Sequence, residues 1–321
     1  MLDGRMSLRL NGLTLSLDNA YHADCYISHA HSDHSSAAKR KGKRLLASNE
    51  TLALLGKESA ERIKASEEVE LRLMSAGHML GATQLVAEWE GKKFVYTGDF
   101  KLEPGLTVKG AEVENCDYLL MESTYASPST KFPAREAVVA EMLKWVKKEA
   151  ELNTVILGGY STGKAQELVA ALNSAGITPL VHPRIERVCK VYERFGVKLE
   201  RVVLNSEEGE ELKQDNFVGV MPFHLVNREL AYEVSRICGK GVATALATGW
   251  ANRFYYPVDR VFQLSDHADF GEMIEYIERA QPRQIYCCYG ESEYLAKALR
   301  ARGYNAQDYT QASQRTLASE V

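Results

Sequence analysis

Short apolar runs of the kind that form β-strands alternate along the chain with stretches whose apolar residues recur every three or four positions, as they do in helices. This alternation predicts a layered α/β protein. Four of the apolar runs are followed closely by residues suited to chemistry, namely His29 with His31, Asp99, Glu122 and His267. Because polar residues at strand ends gather at one edge of a sheet, we expect these side chains to converge on one site.

The middle of the chain, residues 128–263, has its own alternation of helical and strand-like segments. A helical pattern begins at Pro133, with apolar residues at spacings of three and four, and the strand-like run Thr154-Val155-Ile156-Leu157 follows it. We therefore expect residues 128–263 to form an inserted domain, which divides a second domain into residues 1–127 and 264–321.

Composition narrows the possible classes of protein. The 321 residues are 45% apolar and 26% charged, which excludes a disordered or fibrous chain. The 39 Lys plus Arg and 43 Asp plus Glu give a formal net charge of −4. Since no overall positive field would attract a nucleic acid, a polyanionic partner requires a local cluster of cations.

Signals for export or membrane insertion are missing from the sequence. Residues 1–10 lack the apolar segment of a secretory signal, and no run approaches the roughly 20 apolar residues that span a bilayer. The six cysteines form no Cys-x-x-Cys pair. We expect a cytoplasmic protein with reduced thiols and no membrane partner.

The run His29-Ala30-His31-Ser32-Asp33-His34 is the strongest chemical signal. In an extended chain His29 and His31 point to the same side, and a turn at Ser32 would bring Asp33 and His34 toward a second point nearby. Imidazole and carboxylate groups suit zinc and related divalent ions, and four such groups in six residues exceed what one ion needs from one loop. The alternative is a polar loop that contains three histidines by coincidence, but the whole chain has only eight.

The His-x-His-x-Asp-His run resembles the hallmark of the metallo-β-lactamase superfamily at every defined position. The resemblance extends to Asp18 in Leu17-Asp18, His78 in Ala76-Gly77-His78, and Asp99 in Thr97-Gly98-Asp99. It implies that a first metal is held by His29, His31 and His78, a second by Asp33 and His34, and that Asp99 bridges them. It also implies that Asp18 orients the histidine loop from outside the metal's own ligands.

Three further motifs are similar to those of the β-CASP branch of that superfamily, which contains nucleases. They are Glu122-Ser123-Thr124-Tyr125, Gly163-Lys164-Ala165-Gln166-Glu167-Leu168 and Ser265-Asp266-His267-Ala268-Asp269. This resemblance implies an αββα metallo-β-lactamase sandwich with an inserted α/β β-CASP cap at residues 128–263. It is greatest to the short members described as mRNA 3′-end processing factor-like or DNA-ligase-associated exonucleases, and it implies a zinc-dependent nuclease acting on DNA or RNA.

One residue departs from the family pattern. Tyr289 stands where many members have a histidine that completes the second metal site. Tyrosine binds zinc poorly at neutral pH because its phenol is protonated. The resemblance therefore implies up to two Zn²⁺, with a weak second site and Mn²⁺ as another candidate, and a slight preference for single-stranded DNA, because DNA-acting members also lack this histidine.

The resemblance also implies roles in the reaction. His267 is expected to contact the scissile phosphate or to deliver a proton to the leaving oxygen, and Glu122 to orient His267. Asp33 is a candidate to accept the proton of the attacking water.

Candidate substrate contacts come from two loops and one short aromatic stretch. The loop before Lys164 nearly fits a phosphate-binding GxxxxGK[ST] motif but has Ala165 where a hydroxyl is needed, so we expect a phosphate contact by Lys164 and helix capping by Ser161 or Thr162. The basic run at residues 39–44 supplies local positive charge near the metal loop. The residues expected to bind substrate are Ser161, Thr162, Lys164, Arg253, Lys39, Arg40 and Lys41. Six aromatic residues are candidates to stack on unpaired bases, although such residues at strand ends are more often part of the core; they are Tyr125, Tyr160, Trp250, Phe254, Tyr255 and Tyr256.

Two other functions are compatible with the metal motifs. A small-molecule hydrolase of the same superfamily explains them equally well but leaves the insertion and the Ser265–Asp269 motif unexplained. A non-catalytic nucleic-acid-binding scaffold that has lost metal ligands is the second alternative, and retention of the six ligand residues argues against it.

Overall fold

The computed structural model describes residues 2–3, 5–57, 63 and 68–309, and the chain divides into two compact units. Unit 1 comprises residues 1–104, 108–131 and 267–321, and unit 2 comprises residues 105–107 and 132–266. The described residues form three β-sheets and eight α-helices, which confirms the predicted α/β class. The identification of residues 128–263 as a β-CASP cap stays a prediction.

Two sheets pack face to face in unit 1. The first has the order β1-β2-β3-β4-β5, with strands Leu2–Asp3, Ser7–Leu10, Leu13–Leu17, Asp24–Tyr26 and Arg44–Leu46. The second has the order β17-β16-β9-β8-β7-β6, and its strands in chain order are Glu70–Ser75, Thr83–Trp89, Lys92–Tyr96, Tyr118–Glu122, Gln284–Cys288 and Ala306–Asp308. Leu15 and Tyr26 of the first sheet share one buried apolar cluster with Leu85 and Phe94 of the second. This shared core makes the unit a β-sandwich.

Helices cover the outer faces of both sheets. The helix α1, Asn49–Leu54, and a short 3₁₀ turn at Ser36–Lys39 lie at the first sheet, where Ala37 and Leu55 pack with Ile27. The helices α7, Phe270–Ala280, and α8, Ser292–Arg300, pack their apolar faces on the second sheet. The resulting layers are helix, sheet, sheet and helix, as expected for the αββα sandwich.

A fully parallel sheet forms the centre of unit 2. Its order is β12-β11-β13-β10-β14-β15, and its strands in chain order are Asn153–Gly159, Leu180–Val181, Val202–Val203, Val218–Pro222, Gly241–Ala247 and Arg260–Phe262. The helices of this unit are α2 to α6, at Arg135–Ala150, Lys164–Ser174, Pro183–Arg194, Glu207–Leu212 and Arg228–Cys238. Because all six strands run the same way, the loops that follow them lie along one edge.

In the described part of the chain, no helix is both long and apolar enough to cross a membrane.

Candidate metal centre

Asp18 anchors the histidine loop from the end of β3. Its buried carboxylate accepts hydrogen bonds from the Ser28 amide at 2.6 Å, from the Ser28 hydroxyl at 2.6 Å and from the Tyr96 hydroxyl at 2.7 Å. The same carboxylate lies 2.8 Å from Nδ1 of His34. Asp18 therefore holds the loop that follows β4 at two residues, Ser28 and His34.

Three imidazoles converge beside this anchor. Nδ1 of His31 lies 3.1 Å from Nε2 of His29 and 3.1 Å from Nε2 of His78. The hydroxyl of Ser28 is 2.9 Å from Nδ1 of His29, which turns the other ring nitrogen of His29 toward the cluster. Donor atoms bound at 2.0–2.1 Å in a tetrahedral zinc site lie about 3.3 Å apart, so these spacings fit one divalent ion.

Asp99 adds a carboxylate to the three imidazoles. Its Oδ2 lies 3.5 Å from Nε2 of His29 and 3.9 Å from Nε2 of His78. Together with His31 these residues form a group whose donor atoms all lie within 4.8 Å of one another. Three nitrogen donors and one oxygen donor are a ligand set suited to zinc and related divalent ions.

Two glycines allow the backbone to approach this closely. Gly98, which precedes Asp99, has a φ of 55°, and a Cβ there would lie 2.6 Å from Cβ of Ser28. Gly77, which precedes His78, has a φ of 73°, and a Cβ there would collide with the carbonyl oxygen of Lys101. Any other residue at either position would shift a ligand away from the centre.

The electrostatic environment suits metal binding. Burial, together with the neighbouring histidines, lowers the pKa of His29 well below its usual value, so that its imidazole is neutral at pH 7 and carries a free lone pair. Burial opposes a charge on His34, but the carboxylates of Asp99 and Asp18 outweigh it and raise the pKa of His34 to about 10. A metal at Nε2 of His34 would therefore have to displace a proton.

The residues expected to bind a second metal lie less close together than those of the first group. Nε2 of His34 is 3.5 Å from Oδ2 of Asp99 and 3.8 Å from Oδ2 of Asp33, but the Asp33 side chain is 78% exposed. The Tyr289 ring packs 4.9 Å from the His34 ring, and its hydroxyl lies 3.4 Å from that of Tyr96. Burial raises the pKa of Tyr289 well above its usual value, which keeps the phenol protonated.

Glu122 and His267 meet next to the first group. Glu122 is the last residue of β9, is fully buried and accepts a hydrogen bond from the Phe100 amide at 2.8 Å. Each of its oxygens lies 3.1 Å from Nδ1 of His267. Although burial opposes ionisation, the His267 imidazole lowers the pKa of Glu122. Donor atoms of Asp99, Glu122 and His267 also lie within 4.8 Å of one another, so a metal could bind here too.

The sequence analysis does not predict Ser28, Tyr96 or Asp269 as site residues. Ser28 and Tyr96 hold Asp18, and their only sequence signal is their position, directly before His29 and directly before Thr97-Gly98-Asp99. Asp269 caps α7 by accepting a hydrogen bond from the Glu272 amide at 3.1 Å, which ends the loop two residues after His267. Capping at this point fixes the start of the helix and, with it, the loop that carries His267.

The basic run at residues 39–44 lies in unit 1, and its first residues are exposed to solvent. Lys39, Arg40 and Lys41 are exposed, and they form no ion pair with another residue in the part of the chain that the structure describes. The last part of the run is engaged elsewhere, because Lys43 donates to the His22 carbonyl and Arg44 pairs with Asp24.

Unit 2 holds the other residues expected to bind substrate. The guanidinium of Arg253 lies 4.9 Å from the centre of the Trp250 ring. The expected capping by Ser161 or Thr162 is wrong, because the N-cap of α3 is Gly163, whose amide donates to Oε1 of Gln166 at 2.8 Å. The side-chain amide of Gln166 in turn donates to the Ser161 carbonyl at 3.2 Å.

Lys164 is part of a buried charge cluster. It is 4% exposed, and its Nζ lies 2.6 Å from Oδ1 of Asp266. Arg135 pairs with Glu167 at 2.6 Å and lies 3.6 Å from Asp266, and it donates to the Ser265 carbonyl at 3.1 Å. Two cations and two carboxylates thus fix the segment directly before His267, whereas a phosphate contact by Lys164 stays a prediction.

Known proteins resemble this chain, two of them over most of its length. A probable DNA ligase of Opitutus terrae is 30% identical over 298 residues, which are 88% of this chain and 28% of that protein. The 5′ exonuclease Apollo of Gallus gallus is 24% identical over 277 residues, 81% of this chain and 57% of that protein. An RNase J-like protein of Methanocaldococcus jannaschii is 31% identical over 117 residues, 36% of this chain and 28% of that protein. The chain therefore spans less than two thirds of each of these relatives.

The fold has a counterpart among solved structures. A protein of unknown function from Enterococcus faecalis superimposes with a TM-score of 0.58 at 14% identity, covering 86% of this chain and 79% of that one. No protein-family model matches the chain.

Proposed function

Because the chain belongs to the β-CASP nuclease branch of the metallo-β-lactamase superfamily, we propose that it is a metal-dependent hydrolase that cleaves phosphodiester bonds of nucleic acid. The observation that carries this proposal is the group formed by His29, His31, His78 and Asp99, whose donor atoms lie within 4.8 Å of one another. The relatives named for exonuclease and ligase functions support nucleic acid as the substrate class.

Membership of the family implies a divalent metal, and we propose Zn²⁺ at the first site, held by the same four residues. When bound, such an ion supplies a water whose pKa falls from 15.7 to about 7 and a positive charge that stabilises the transition state. His34 and Asp33 would hold a second ion. The protonated phenol of Tyr289 and the exposure of Asp33 support a weak second site, which Mn²⁺ could also occupy.

We propose that the remaining residues of the site either orient neighbouring side chains or transfer protons. Asp18 keeps His34 and the Ser28 loop in place through its carboxylate. Glu122 fixes the His267 ring by accepting at Nδ1, and His267 contacts the scissile phosphate or delivers a proton to the leaving oxygen. Asp33 is placed at the surface, where it can accept the proton lost by the attacking water.

Two features support a proposal for which nucleic acid is the substrate. Tyr289 in place of a histidine, and the relative that is named as a probable DNA ligase, favour single-stranded DNA, with RNA as the second candidate. We propose that Lys39, Arg40 and Lys41 bind the nucleic acid. Their exposed side chains supply local positive charge in a chain of net charge −4. All six cysteines are free, which fits a reducing compartment such as the cytoplasm.

A time course on matched single-stranded DNA and RNA, each labelled at its 5′ or its 3′ end, tests the proposal. The products give the preferred nucleic acid and the direction of attack. Asp99→Ala is the control, because it removes the carboxylate of the proposed metal group while leaving the substrate-binding residues intact. Equal cleavage by wild type and Asp99→Ala would assign the activity to a contaminant.

Metal analysis of the same samples separates the alternatives. One or two ions per chain with cleavage support the nuclease, and no ion with retained nucleic-acid binding supports a scaffold. Bound metal without cleavage, together with turnover of small ester or lactam substrates, supports a small-molecule hydrolase instead.

A further inference from the structure

One carboxylate of unit 1 binds two loops of the candidate metal centre. Glu272 lies in the first turn of α7, where its Oε2 accepts a hydrogen bond from the Asp269 amide at 3.2 Å. The same oxygen accepts from Nζ of Lys101 at 2.5 Å, and Oε1 accepts from the Glu103 amide at 3.2 Å. Glu272 is therefore bound to a loop that begins at Asp99 and to a second loop that ends where α7 begins.

The first of these loops is also held by its own backbone. The Phe100 amide donates to Oε1 of Glu122 at 2.8 Å. The Lys101 amide donates to the Ala76 carbonyl at 2.9 Å. Both bonds use groups that the carboxylate of α7 does not contact. The backbone that carries Asp99, directly before Phe100, is therefore fixed independently of α7.

The second loop carries His267, and it meets the first through the backbone as well as through Glu272. The Ala268 amide donates to the Phe100 carbonyl at 2.7 Å. Because the amide of Phe100 binds Glu122, this bond aligns His267 with the carboxylate that contacts its ring. The position of the His267 loop thus depends on how α7 is held against the loop that follows Asp99.

The contact between Lys101 and Glu272 is an ion pair with little access to solvent. Lys101 is 4% exposed, and the side chain of Glu272 is 17% exposed. The next carboxylate of Lys101, that of Glu103, lies 3.8 Å away. A buried ion pair often stabilises a fold no more than apolar side chains of the same volume, but its charged hydrogen bond is short and directional. Its specific contribution here is a fixed distance between α7 and the loop after Asp99.

We propose that Glu272 is a positioning residue of the site, which through Lys101 holds the loop of His267 at a fixed distance from Asp99. His267 is then aligned with Glu122 and with the metal group to which Asp99 belongs. A misplacement of about 1 Å can cost about 100-fold in rate, so Glu272 affects the reaction although it acts through other residues. The proposal rests on the nuclease function proposed above and adds a residue to that reaction.

Glu272→Gln in the full chain tests the proposal. It keeps an oxygen that can accept from the Asp269 amide, as Gln does in a capping box, but it removes the charge that binds Lys101. In cleavage of labelled single-stranded DNA we expect kcat to fall roughly 10- to 100-fold, while KM and the bound metal stay at wild-type values. Glu275→Gln is the control, because it removes a carboxylate from an exposed pair with Arg279 on the same helix, and it should cleave as the wild type does.

A double-mutant cycle shows whether Glu272 acts through His267. If it does, adding Glu272→Gln to His267→Ala should cause no further loss of rate. A general weakening of the fold would instead lower the rate by the same factor in both backgrounds. Equal losses in the two backgrounds would overturn the proposal, as would an unchanged rate or a loss of bound metal in Glu272→Gln alone.

Combining Lys101→Met with Glu272→Gln separates positioning from folding. Removing both partners takes away the unpaired buried charge that the single substitution leaves, so thermal unfolding should show stability largely regained. The hydrogen bond between the loop and α7 is still missing, so kcat should stay as low as in Glu272→Gln. Recovery of kcat together with stability would assign the loss to folding and contradict the proposal.

Hydrogen exchange followed by NMR tests the same contact without cleavage. The Ala268 amide should exchange at least about 10-fold faster in Glu272→Gln than in the wild type, while the Lys101 amide should not change. If cleavage depends on Asp99 but exchange at Ala268 is unaffected, the positioning role is wrong and the nuclease stands. If no Asp99-dependent cleavage occurs, the nuclease is wrong, and the exchange rate of Ala268 still decides whether Glu272 holds the loop.

Discussion

Both carboxylate oxygens of Glu122 lie 3.1 Å from Nδ1 of His267. The two residues are distant in sequence, since Glu122 ends β9 and His267 precedes α7. A buried carboxylate on Nδ1 fixes the orientation of an imidazole. The same two residues, with Asp99, also form a group with the spacing of metal ligands, so a role in proton transfer and a role in metal binding must be distinguished.

Substituting His267 by Ala distinguishes these two roles. If His267 acts on the substrate, we expect turnover to fall by about 10²- to 10⁴-fold, the usual contribution of a positioned acid or base, while bound metal stays unchanged. Single-turnover cleavage and elemental analysis of the same preparation provide the two measurements. A lower metal content in the variant would instead assign His267 to a metal site.

Asp18→Asn should weaken metal binding although Asp18 is not expected to touch the ion. The substitution removes the charge that holds Nδ1 of His34 at 2.8 Å and the acceptor shared by Ser28 and Tyr96. Loss of such an outer partner typically costs 10- to 100-fold in metal affinity. Competition with a chelator gives the dissociation constant. Asp24→Asn, at a surface pair with Arg44, is the matched control and should match the wild type.

The fold class and the convergence of the site residues were predictable from sequence because both follow from local patterns. Apolar runs ending at His29, Asp99 and Glu122 do correspond to strands whose ends meet. The partners of Asp18 were not predictable, because Ser28 and Tyr96 reach it from a loop and a strand whose packing no local pattern encodes.

The loop before α3 shows the limit of motif reasoning. Hydroxyl residues before a helix usually cap it, and on that basis the sequence predicts Ser161 or Thr162 as the N-cap. Instead the chain turns at Gly163, with a φ of 90°, and the Gln166 side chain accepts from the Gly163 amide. The burial of Lys164 against Asp266 was equally hidden, since the partner lies 102 residues away in the sequence.

The buried charge cluster of unit 2 should be important for stability. Glu167→Ala leaves the 5% exposed Arg135 guanidinium without its closest carboxylate. Removing one partner of a buried ion pair typically costs about 3–5 kcal/mol. Urea unfolding followed by circular dichroism measures the loss. Glu233→Ala, which breaks the exposed pair with Arg236, is the control and should cost about 0.5 kcal/mol or less.

The thiols should differ sharply in reactivity. Burial raises the pKa of Cys189 to about 11 and that of Cys116 and Cys287 to about 12, so these groups stay protonated and shielded between pH 7 and pH 9. Among the six cysteines, all of which lie in the described part of the chain, only Cys238 is partly exposed. Titration with a disulfide reagent at pH 8 should give one rapid equivalent, and Cys238→Ser should abolish it. Rapid reaction of a second thiol in the folded protein would contradict this assignment.

The exposed basic run should contribute to affinity through phosphate contacts rather than through base recognition. Replacing Lys39, Arg40 and Lys41 together by Gln should weaken binding of oligo(dT) and oligo(U) alike. It should also reduce the slope of log affinity against log salt by up to about 2, since each contact with a single strand contributes about 0.7.

A charge-matched variant supplies the comparison for the basic run. Replacing Lys147, Lys148 and Lys198 by Gln changes the net charge equally, at exposed positions in unit 2. If the effect arises only from overall charge, both triple variants will shift the salt slope by the same amount. We expect the Lys39, Arg40 and Lys41 variant to lose at least one contact more, because contacts at the binding surface release counterions and remote charges do not. Anisotropy titrations at several salt concentrations measure both slopes, and equal slopes would remove the basic run from the binding surface.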